Sequence, residues 1–569
     1  MKRLKIDVNE WIKIIFVASF LSILVCQRYL NNIIIYAHDI GYHLNRIMQI
    51  SEGLSNGRFP ILIHSGLLHN LGYANPLFYP ELFLYIPAII MSITHIHVLT
   101  AYKLFLIIIS FFTFLSMYYT SKKIFEKKEI AYLSGILYTF SLYRLTDIYV
   151  RGALGELIAF IFLPLLIYGL YNVIFEKNDK WYFICIGFWG LINSHVLSFI
   201  IMIPIVLTIC ILNVDIIVKN KKVFFKLLIA ACVSILLCIG FIGPMMEQKS
   251  LGIYKVDVHD ADTPQALYER ANSLSMALSS SVKSGFSVDS STRDDGMSSG
   301  IGLILIVLAL CILYRKNVNG NNRFEIQGIA IGMVVLVMTT KLFPWNHFGA
   351  LSLIQFPYRL NIIPTVLFSL IGANIAYELF EDKRSACTLL SIILIIFSGY
   401  MISNININFN PEKATSFEDL VSISKGADRE VGNAEYIPVT ANENSDDLTL
   451  YNIHEKNVSI PFTQNGSDIE FEYSGSNNKF EVNIPLIYYK GYNAQIKDNN
   501  GNITKLEVVH NTENGHVLIK GDKSLTGTVE VKYQMTIIQK TCYTISCLTL
   551  IVLIGFIIYK HFKNDKNIS

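Results

Sequence analysis

Residues 98–128 read VLTAYKLFLIIISFFTFLSMYYTSKKIFEKK, an apolar run that ends in a cluster of lysines. The apolar part, residues 98–120, is long enough as a helix to cross a hydrocarbon core of about 30 Å. Lysine and arginine concentrate in short cytoplasmic loops, so the lysines of 122–128 predict that this span ends in the cytoplasm. The stretch therefore predicts a membrane protein and the direction in which its chain crosses the bilayer.

The same pattern recurs along the 569 residues, which are 52% hydrophobic and 16% charged, whereas soluble proteins carry about 25% charged residues. With the N-terminus inside, every short cytoplasmic loop is basic and the C-terminus also lies in the cytoplasm. If the apolar residues 82–93 formed a further span, the lysines of 122–128 would lie outside the cell. We therefore interpret 82–93 as an interfacial element interrupted by Pro80 and Pro87. The twelve predicted spans are 12–30, 98–120, 129–144, 156–175, 181–195, 198–216, 224–244, 300–314, 326–342, 358–378, 386–402 and 542–560.

This topology divides the chain into three parts. Residues 1–402 form a transmembrane domain with a retained first helix and two large outer loops, 31–97 and the aspartate-containing 245–299. Residues 403–541 form an outer polar domain whose strand-like runs and turns predict a small β-sandwich. Residues 542–569 supply the last span and a cytoplasmic tail. The predicted fold class is a polytopic α-helical membrane protein with an extracytoplasmic β-rich domain.

Several activities lack their sequence signals. The chain contains no Walker loop, nucleotide fingerprint, HExxH or GxSxG, which argues against ATP-driven transport and serine hydrolysis. The nine cysteines lie in or beside apolar segments and no spacing is typical of zinc, so we expect no disulfide and no structural zinc. We predict no cofactor, and the sequence offers no support for a divalent metal, which stays an open alternative. A net charge of +3 does not indicate a nucleic-acid partner.

The first candidate site follows the first span, where residues 38–46 read HDIGYHLNR. In a helix, Asp39, His43 and Arg46 share one face, and the helix would lie along the interface and end near Asn56-Gly57. We predict that Asp39 is a general base that takes the proton of an acceptor hydroxyl, with His43 orienting it or the acceptor. The alternative is that Asp39 caps the helix while His43 and Arg46 meet water or phospholipid.

The second candidate site is the segment 143–156, in which Arg144, Asp147 and Arg151 are spaced i, i+3 and i+7. The planar guanidinium of arginine suits phosphate, and a lipid phosphate in the outer leaflet would lie at this depth. The alternative is an Arg–Asp ion pair that ties helices together, with Glu156 simply favouring a helix N-terminus.

The third candidate site is the segment 355–359, QFPYR, at the outer end of a predicted span. Arg359 there is costly unless it is paired or near a phosphate, although snorkelling to the interface is an alternative. Gln355 and His195, at an outer turn, are possible accessory residues, and His195 is also readily explained as a hydrogen-bonded turn histidine. Arg46 and Glu156 complete the accessory set.

Blocks of this sequence resemble bacterial membrane proteins of the GT-C glycosyltransferase superfamily. The group labelled "6-pyruvoyl-tetrahydropterin synthase-related" membrane proteins looks most similar, with the YfhO-like proteins as relatives. The resemblance is carried by the first-loop sequence around Asp39 and by Gly57–Pro60, Gly72-Tyr73, Phe78–Pro80, Arg151–Glu156, Ser194-His195, Gln355–Arg359 and Glu435–Pro438.

The resemblance implies a GT-C fold with an outer-face active site, a polyprenyl-phosphate sugar donor and a catalytic acid in the first outer loop, here Asp39. It also implies the plasma membrane of a bacterium. Many GT-C enzymes have paired acidic residues, but His38 precedes Asp39 here and no acid adjoins it, which does not favour a metal-bound mechanism. The pterin label implies no pterin chemistry, because a soluble pterin synthase has a zinc site and no spans.

We therefore predict a membrane glycosyltransferase. Asp39 and His43 form its catalytic pair, and Arg144, Arg151 and Arg359 bind the donor phosphate. Its partners would be a polyprenyl-phosphate-linked sugar, a cell-envelope glycan acceptor and membrane lipids. The rivals are a transporter or flippase for a lipid-linked glycan, which needs ionisable residues at mid-membrane depth, and a non-catalytic envelope-assembly scaffold. The predicted spans carry almost no charge at mid-depth, which favours chemistry at one face.

Overall fold

Most of the chain folds into helices that precede a C-terminal antiparallel sheet. The computed structural model describes residues 8–30, 35, 37–258, 263–282, 297, 299–314, 322–380, 382–405, 434–441, 453–455, 458–474, 480–521 and 525–566. The longer helices are α1 Val8–Val25, α2 Ile40–Ser55, α3 Tyr85–Thr94, α4 Val98–Phe125, α5 Lys128–Thr139, α6 Leu154–Ile174, α7 Tyr182–Ile192, α8 Val196–Leu212, α9 Lys221–Lys249, α10 Leu303–Leu310, α11 Arg323–Met338, α12 Ile362–Leu379, α13 Lys383–Ser403 and α14 Ile537–Lys566. Shorter helical segments include Asn75–Phe78, Leu142–Thr146, Val214–Lys219, Lys255–Val258, Pro264–Arg270 and Leu274–Ala277.

Seven helices in the described part of the chain are long and apolar enough to cross a membrane: α1, α4, α6, α9, α12 with the turn before it, α13 and α14. The chain is therefore a multi-pass membrane protein. The predicted count of twelve is not confirmed, because the other five spans fall on shorter or broken helices. A 12-residue helix such as α5 extends only about 18 Å, whereas the hydrocarbon core is about 30 Å thick.

The membrane helices pack around a buried centre. Helix α4 contacts α5 and α6, and α12, which is almost wholly buried, contacts α5, α10 and α11. Helices α13 and α14 lie outside this centre and expose apolar side chains such as Ile396, Ile551 and Val552. In a membrane protein such side chains face lipid, so the exposure is consistent with a bilayer around these helices.

The first outer loop folds largely as predicted. Helix α2 begins after Asp39 and ends at Ser55, followed by Asn56 and by Gly57 with a φ of 71°. It is amphipathic and buries Ile40, Leu44 and Ile47 in the core shared with the membrane helices. The apolar stretch that was predicted to be interfacial forms a turn and α3, and α3 packs against α2.

The C-terminal domain is an antiparallel sheet of nine strands, which agrees with the predicted β-rich domain, while the predicted sandwich is not confirmed. Its strand order is β2-β1-β5-β8-β7-β6-β9-β4-β3, and β7 bonds to β6 through residues 503–506 and to β8 through 507–510. One face packs against the first outer loop, where Leu62, Leu71 and Phe78 share its core. The strands are β1 Ile453–Glu455, β2 Val458–Ile460, β3 Phe462–Asn465, β4 Asp468–Ser474, β5 Phe480–Ile487, β6 Tyr492–Lys497, β7 Ile503–His510, β8 His516–Gly521 and β9 Thr526–Tyr533.

Some sequence predictions concern residues outside the described ranges. They are the aspartates Asp260, Asp262, Asp289, Asp294 and Asp295 of the second outer loop, the basic pair Arg315 and Lys316, and the segment 406–433 at the start of the predicted polar domain.

Candidate functional site

A cavity of about 690 Å³ lies between the ends of several helices and the segment that precedes the sheet. Its polar wall comes from the start of α2, the start of α6, the turn before α8 and the segment 353–359. Glu435 and Tyr436 contribute from the short segment that precedes the sheet. Seven of the nine side chains predicted from sequence line this one cavity, namely Asp39, His43, Arg151, Glu156, His195, Gln355 and Arg359.

Asp39 is held at the cavity wall by its backbone, while its carboxylate stays open. Its N–H donates to the carbonyl of Arg151 at 2.8 Å, and its side chain makes no capping hydrogen bond to α2, so the capping alternative does not hold. Gly152 allows this approach, because its φ is 64° and a Cβ there would lie 3.0 Å from the Cβ of Ala37. The Arg151-Gly152 sequence therefore positions the segment that carries Asp39.

The surroundings of Asp39 perturb its ionisation. The carboxylate is exposed to the cavity, but the cavity is a recess in protein, and this desolvation raises the pKa of Asp39 above its ordinary value. The positive charges of Arg151 and Arg359 oppose the rise, and Glu156 adds to it. Burial, with a smaller contribution from Arg151, also lowers the pKa of the neighbouring His38 to about 4. The site thus holds a basic carboxylate beside a neutral imidazole at pH 7.

Arg151 forms ion pairs with two carboxylates. Its Nη1 donates to Asp147 Oδ1 at 2.6 Å and to Glu156 Oε2 at 2.7 Å, and Tyr143 donates to Glu156 Oε1 at 2.5 Å. Its guanidinium also lies 5.2 Å from the ring centre of Tyr358. The ion-pair alternative for this segment is therefore realised, and the three charges sum to −1 when both acids are ionised.

Arg144 lies away from the cavity. It is fully buried and donates to the carbonyl of Thr139 at 3.0 Å and to Ser110 Oγ at 2.8 Å. The predicted spacing assumed one continuous α-helix, but residues Asp147–Arg151 form a π-helical turn. A π-turn has more residues per turn, so Arg144 and Arg151 do not share a face. In the structure Arg144 connects helices rather than facing the cavity.

Arg359 differs from Arg151 because no carboxylate in the described residues lies within 4 Å of it. Its Nη1 donates to Gln355 Oε1 at 2.6 Å and to the carbonyl of Ile354 at 3.2 Å, and its buried Nε has no partner among those residues. The ring of Phe356 lies 5.0 Å from its guanidinium and 4.9 Å from that of Arg270. Two guanidinium groups therefore flank one aromatic side chain at the cavity wall.

Gln355 links these two arginines and adopts a rare backbone conformation. Its carbonyl accepts from Arg270 at 3.2 Å while its side chain accepts from Arg359. Its φ of 63° and ψ of −44° lie outside the regions that non-glycine residues favour, at a cost of roughly 1–3 kcal/mol. Sequence reasoning named Gln355 and Arg359 but missed Arg270, which lies on a short helix 85 residues earlier.

Arg46 is the other predicted residue that does not line the cavity. It is buried behind His43 and donates from Nε to Glu81 Oε1 at 2.9 Å and from Nη2 to the carbonyl of Pro80 at 2.6 Å. Glu81 also accepts from His64 Nε2 at 3.0 Å and from Asn75 Nδ2 at 2.7 Å. Burial opposes its ionisation, but His64 and Arg46 outweigh this, so the pKa of Glu81 is lowered.

This buried network was missed from sequence, although one signal was available. Glu81 is a lone acid at the start of an apolar stretch, and such a group requires a buried partner. Tyr79 and Tyr436 lie in blocks that carried the family resemblance, but neither was predicted as a site residue. Both line the cavity, and Tyr436 stacks on Phe78 with ring centres 4.9 Å apart.

Within the described ranges, no group of three His, Cys, Asp or Glu side chains converges in a way that would hold a metal ion. A metal-independent site therefore stays a prediction.

Comparisons with known proteins give one family and distant likenesses. A family described as "Family of unknown function (DUF6541)" matches residues 10–348. An uncharacterized protein of Lactococcus lactis subsp. cremoris (strain MG1363) is 22% identical over an alignment of 599 residues including gaps. The alignment covers 93% of this chain and 92% of that protein.

Two cryo-EM structures of the arabinofuranosyltransferase AftD from mycobacteria, one of them a point mutant, are 11% identical with a TM-score of 0.40. They match 68% and 70% of this chain, and the chain spans 27% of the length of either solved protein. Likeness at this level does not assign an activity to the chain.

Proposed function

Because the chain belongs to DUF6541, a family of unknown function, we propose its activity from the site: it is a GT-C-like membrane glycosyltransferase. It moves a sugar from a polyprenyl-phosphate donor to a cell-envelope glycan at the outer face of a bacterial plasma membrane. The observation that carries this proposal is a cavity that joins the open carboxylate of Asp39, the guanidinium of Arg359, which has no carboxylate partner among the described residues, and an apolar wall.

The apolar wall supports a lipid-linked donor. It is formed by Val196, Leu197 and Ile200 of α8 and by Met245 and Met246 of α9. Further along α8, Leu207 and Ile211 are exposed, as is Met246 on α9. A polyprenyl chain has only apolar surface to bury, so it can follow these side chains from the cavity into the bilayer while its phosphate stays at the polar wall.

The polar wall supports group transfer by a single displacement. Asp39 takes the proton of the acceptor hydroxyl as that oxygen attacks the anomeric carbon and the bond from this carbon to the phosphate oxygen breaks. The electron pair leaves with the phosphate, whose growing negative charge Arg359 stabilises. A single displacement inverts the anomeric configuration. Arg151, already neutralised by two acids, contributes mainly by positioning the backbone of Asp39.

The orientation of the protein follows from loop charge. Helix α4 has 28 residues and a length of about 42 Å, so its two ends lie at opposite membrane surfaces. Its last turn carries Lys122 and Lys123, whereas its first turn follows the outer loop that contains Asp39. We assign the lysine end and both termini to the cytoplasm, and the cavity to the outer face.

The test is sugar transfer by the purified full-length protein in lipid nanodiscs. Undecaprenyl phosphate carrying one radiolabelled hexose or pentose at a time serves as the donor, with envelope glycan fragments as acceptors. Wild-type protein should transfer label, and Asp39→Asn should lose at least about 100-fold in rate. Glu52→Gln, an exposed change on the same helix, is the matched control and should leave the rate unchanged.

Two results would overturn the proposal. One is transfer by Asp39→Asn at the wild-type rate. The other is movement of an intact lipid-linked glycan across proteoliposomes without sugar transfer, which would favour the transporter alternative.

A further inference from the structure

Three histidines line the cavity, His38, His43 and His195, and for His43 and His195 the hydrogen bonds fix which ring nitrogen carries the proton. His43, on α2, is 2% exposed, and Arg46 Nη1 lies 3.3 Å from its Nδ1. A guanidinium has only N–H donors, so Nδ1 must accept. A histidine ring whose Nδ1 accepts carries its proton on Nε2. His43 is therefore a neutral ring with its N–H on the Nε2 edge.

His195 also carries its proton on Nε2, because of hydrogen bonds at the N-terminus of α8. It is the N-cap residue of α8, and the backbone N–H of Ser198 donates to its Nδ1 at 3.3 Å. The Ser198 hydroxyl lies 2.8 Å from the same nitrogen. A backbone N–H is always a donor, so Nδ1 of His195 also accepts and its Nε2 bears the hydrogen. The two donors thus arise from two unrelated local structures.

The hydrogen bonds around Arg46 hold its guanidinium against His43. Arg46 is held by Glu81 and Pro80, and its guanidinium lies 5.1 Å and 4.7 Å from the ring centres of Tyr42 and Tyr79. Asn75 donates to Glu81 and accepts from Tyr42 at 2.5 Å. Burial, together with the charge of Arg46, lowers the pKa of His43 well below its ordinary value, in line with a neutral ring.

We propose that His43 and His195 form a pair of uncharged Nε2–H donors that bind oxygen atoms of the donor phosphate. Both rings line the cavity, and among the described residues neither Nε2 atom has a hydrogen-bond partner. The guanidinium of Arg359, which has no carboxylate within 4 Å among the described residues, lines the same cavity and attracts an anion, whereas Arg151 is paired with Asp147 and Glu156. Neutral donors bind the phosphate without adding imidazolium charge to a partly apolar cavity.

This inference rests on the proposed function only for the identity of the ligand. A sugar hydroxyl offers the same acceptor chemistry as a phosphate oxygen, so the experiment separates the two. The tautomer and the binding event are both measurable without turnover.

The first experiment is nitrogen-15 NMR of full-length protein in nanodiscs, labelled on histidine and assigned with His43→Gln and His195→Asn. Both rings should be neutral with protonated Nε2 at pH 7. Undecaprenyl phosphate without a sugar should shift both Nε2 resonances, and free hexose should not. An imidazolium or an Nδ1–H ring at either position would overturn the proposal, as would shifts with hexose alone.

The second experiment compares amide replacements in the transfer assay. In His43→Gln the amide N–H₂ reaches the position of Nε2, whereas in His43→Asn it does not. His43→Gln should keep the rate within about tenfold, and His43→Asn should lose about 100-fold. His195→Asn preserves a good N-cap but lacks the donor, and should also lose rate. His347→Asn, at an exposed position, is the control.

Equal losses in His43→Gln and His43→Asn would contradict the donor role. If the wild type transfers no sugar but undecaprenyl phosphate still shifts both Nε2 resonances, the donor pair stands and the glycosyltransferase proposal falls.

Discussion

Replacing Glu81 by glutamine should strongly destabilise the protein, because this buried carboxylate is the countercharge of Arg46. The two side chains are 4% and 2% exposed, and their atoms lie 2.9 Å apart. Glutamine can keep one oxygen toward Arg46 and Asn75 and turn its amide toward His64, whose ring can change tautomer to accept. The main loss is therefore the charge, and removing one partner of a buried pair costs about 3–5 kcal/mol.

The assay is equilibrium unfolding in mixed micelles with a rising fraction of SDS, followed by tryptophan fluorescence. Glu52→Gln should change the free energy of unfolding by less than about 0.5 kcal/mol. The double mutant Glu81→Gln with Arg46→Met should lose at least about 1 kcal/mol less than the sum of the single mutants, because the two side chains interact. A loss below 1 kcal/mol in Glu81→Gln, or strict additivity, would refute this reasoning.

Stability should also depend on pH through the same group. The pKa of Glu81 is lowered in the folded protein, so its contribution is present above the unfolded value and is lost as pH falls through the folded value. The acid-induced loss of stability should therefore be smaller in Glu81→Gln than in the wild type.

Three further predictions concern the cavity. Arg359→Gln should slow transfer by about 100-fold, because it removes the positive charge that stabilises the leaving phosphate. Arg384→Gln, at an exposed position at the start of α13 and outside the cavity, should not slow transfer, and equal rates would exclude Arg359 from the site. Gly152→Ala should reduce transfer and stability together, measured as rate and unfolding midpoint, because it strains a φ of 64° and crowds Ala37, and a wild-type midpoint would contradict this. In the pH profile of kcat/KM, the fall in activity on the acid side should have its midpoint above the ordinary Asp pKa of 3.8, because activity falls as Asp39 gains a proton. The same acid-side fall in Asp39→Asn would assign it to another group.

Hydropathy and loop charge predicted much of the architecture, because crossing a membrane imposes length and apolarity on each segment. All twelve predicted spans fall on helices, but five of these helices are shorter or broken, and hydropathy does not predict helix length. The sheet was predicted from turns and strand-like runs. Its covering by the first outer loop depends on contacts between residues some 400 positions apart, such as Leu71 with Ile487.

The sequence indicated which residue types line the cavity but not their geometry. Asp39, His195 and Arg359 come from distant segments, and charged or polar groups at the outer ends of spans indicated all three. Arg144 was misplaced because a π-turn changes the phase of the helix, which spacing alone does not reveal. The strained φ of Gln355 and the tautomers of the histidines depend on hydrogen-bond partners that only the fold brings together.

The most direct test of the account is the sidedness of the cavity. In protein whose exposed Cys232 and Cys547 are replaced by serine, Asn56→Cys follows α2 on the cavity side and Lys127→Cys lies between α4 and α5. A membrane-impermeant maleimide applied to intact cells should label position 56 at once and position 127 only after permeabilisation. Labelling of 127 from outside, with 56 protected until the membrane is opened, would put the Asp39 cavity in the cytoplasm and contradict the proposed outer-face transfer.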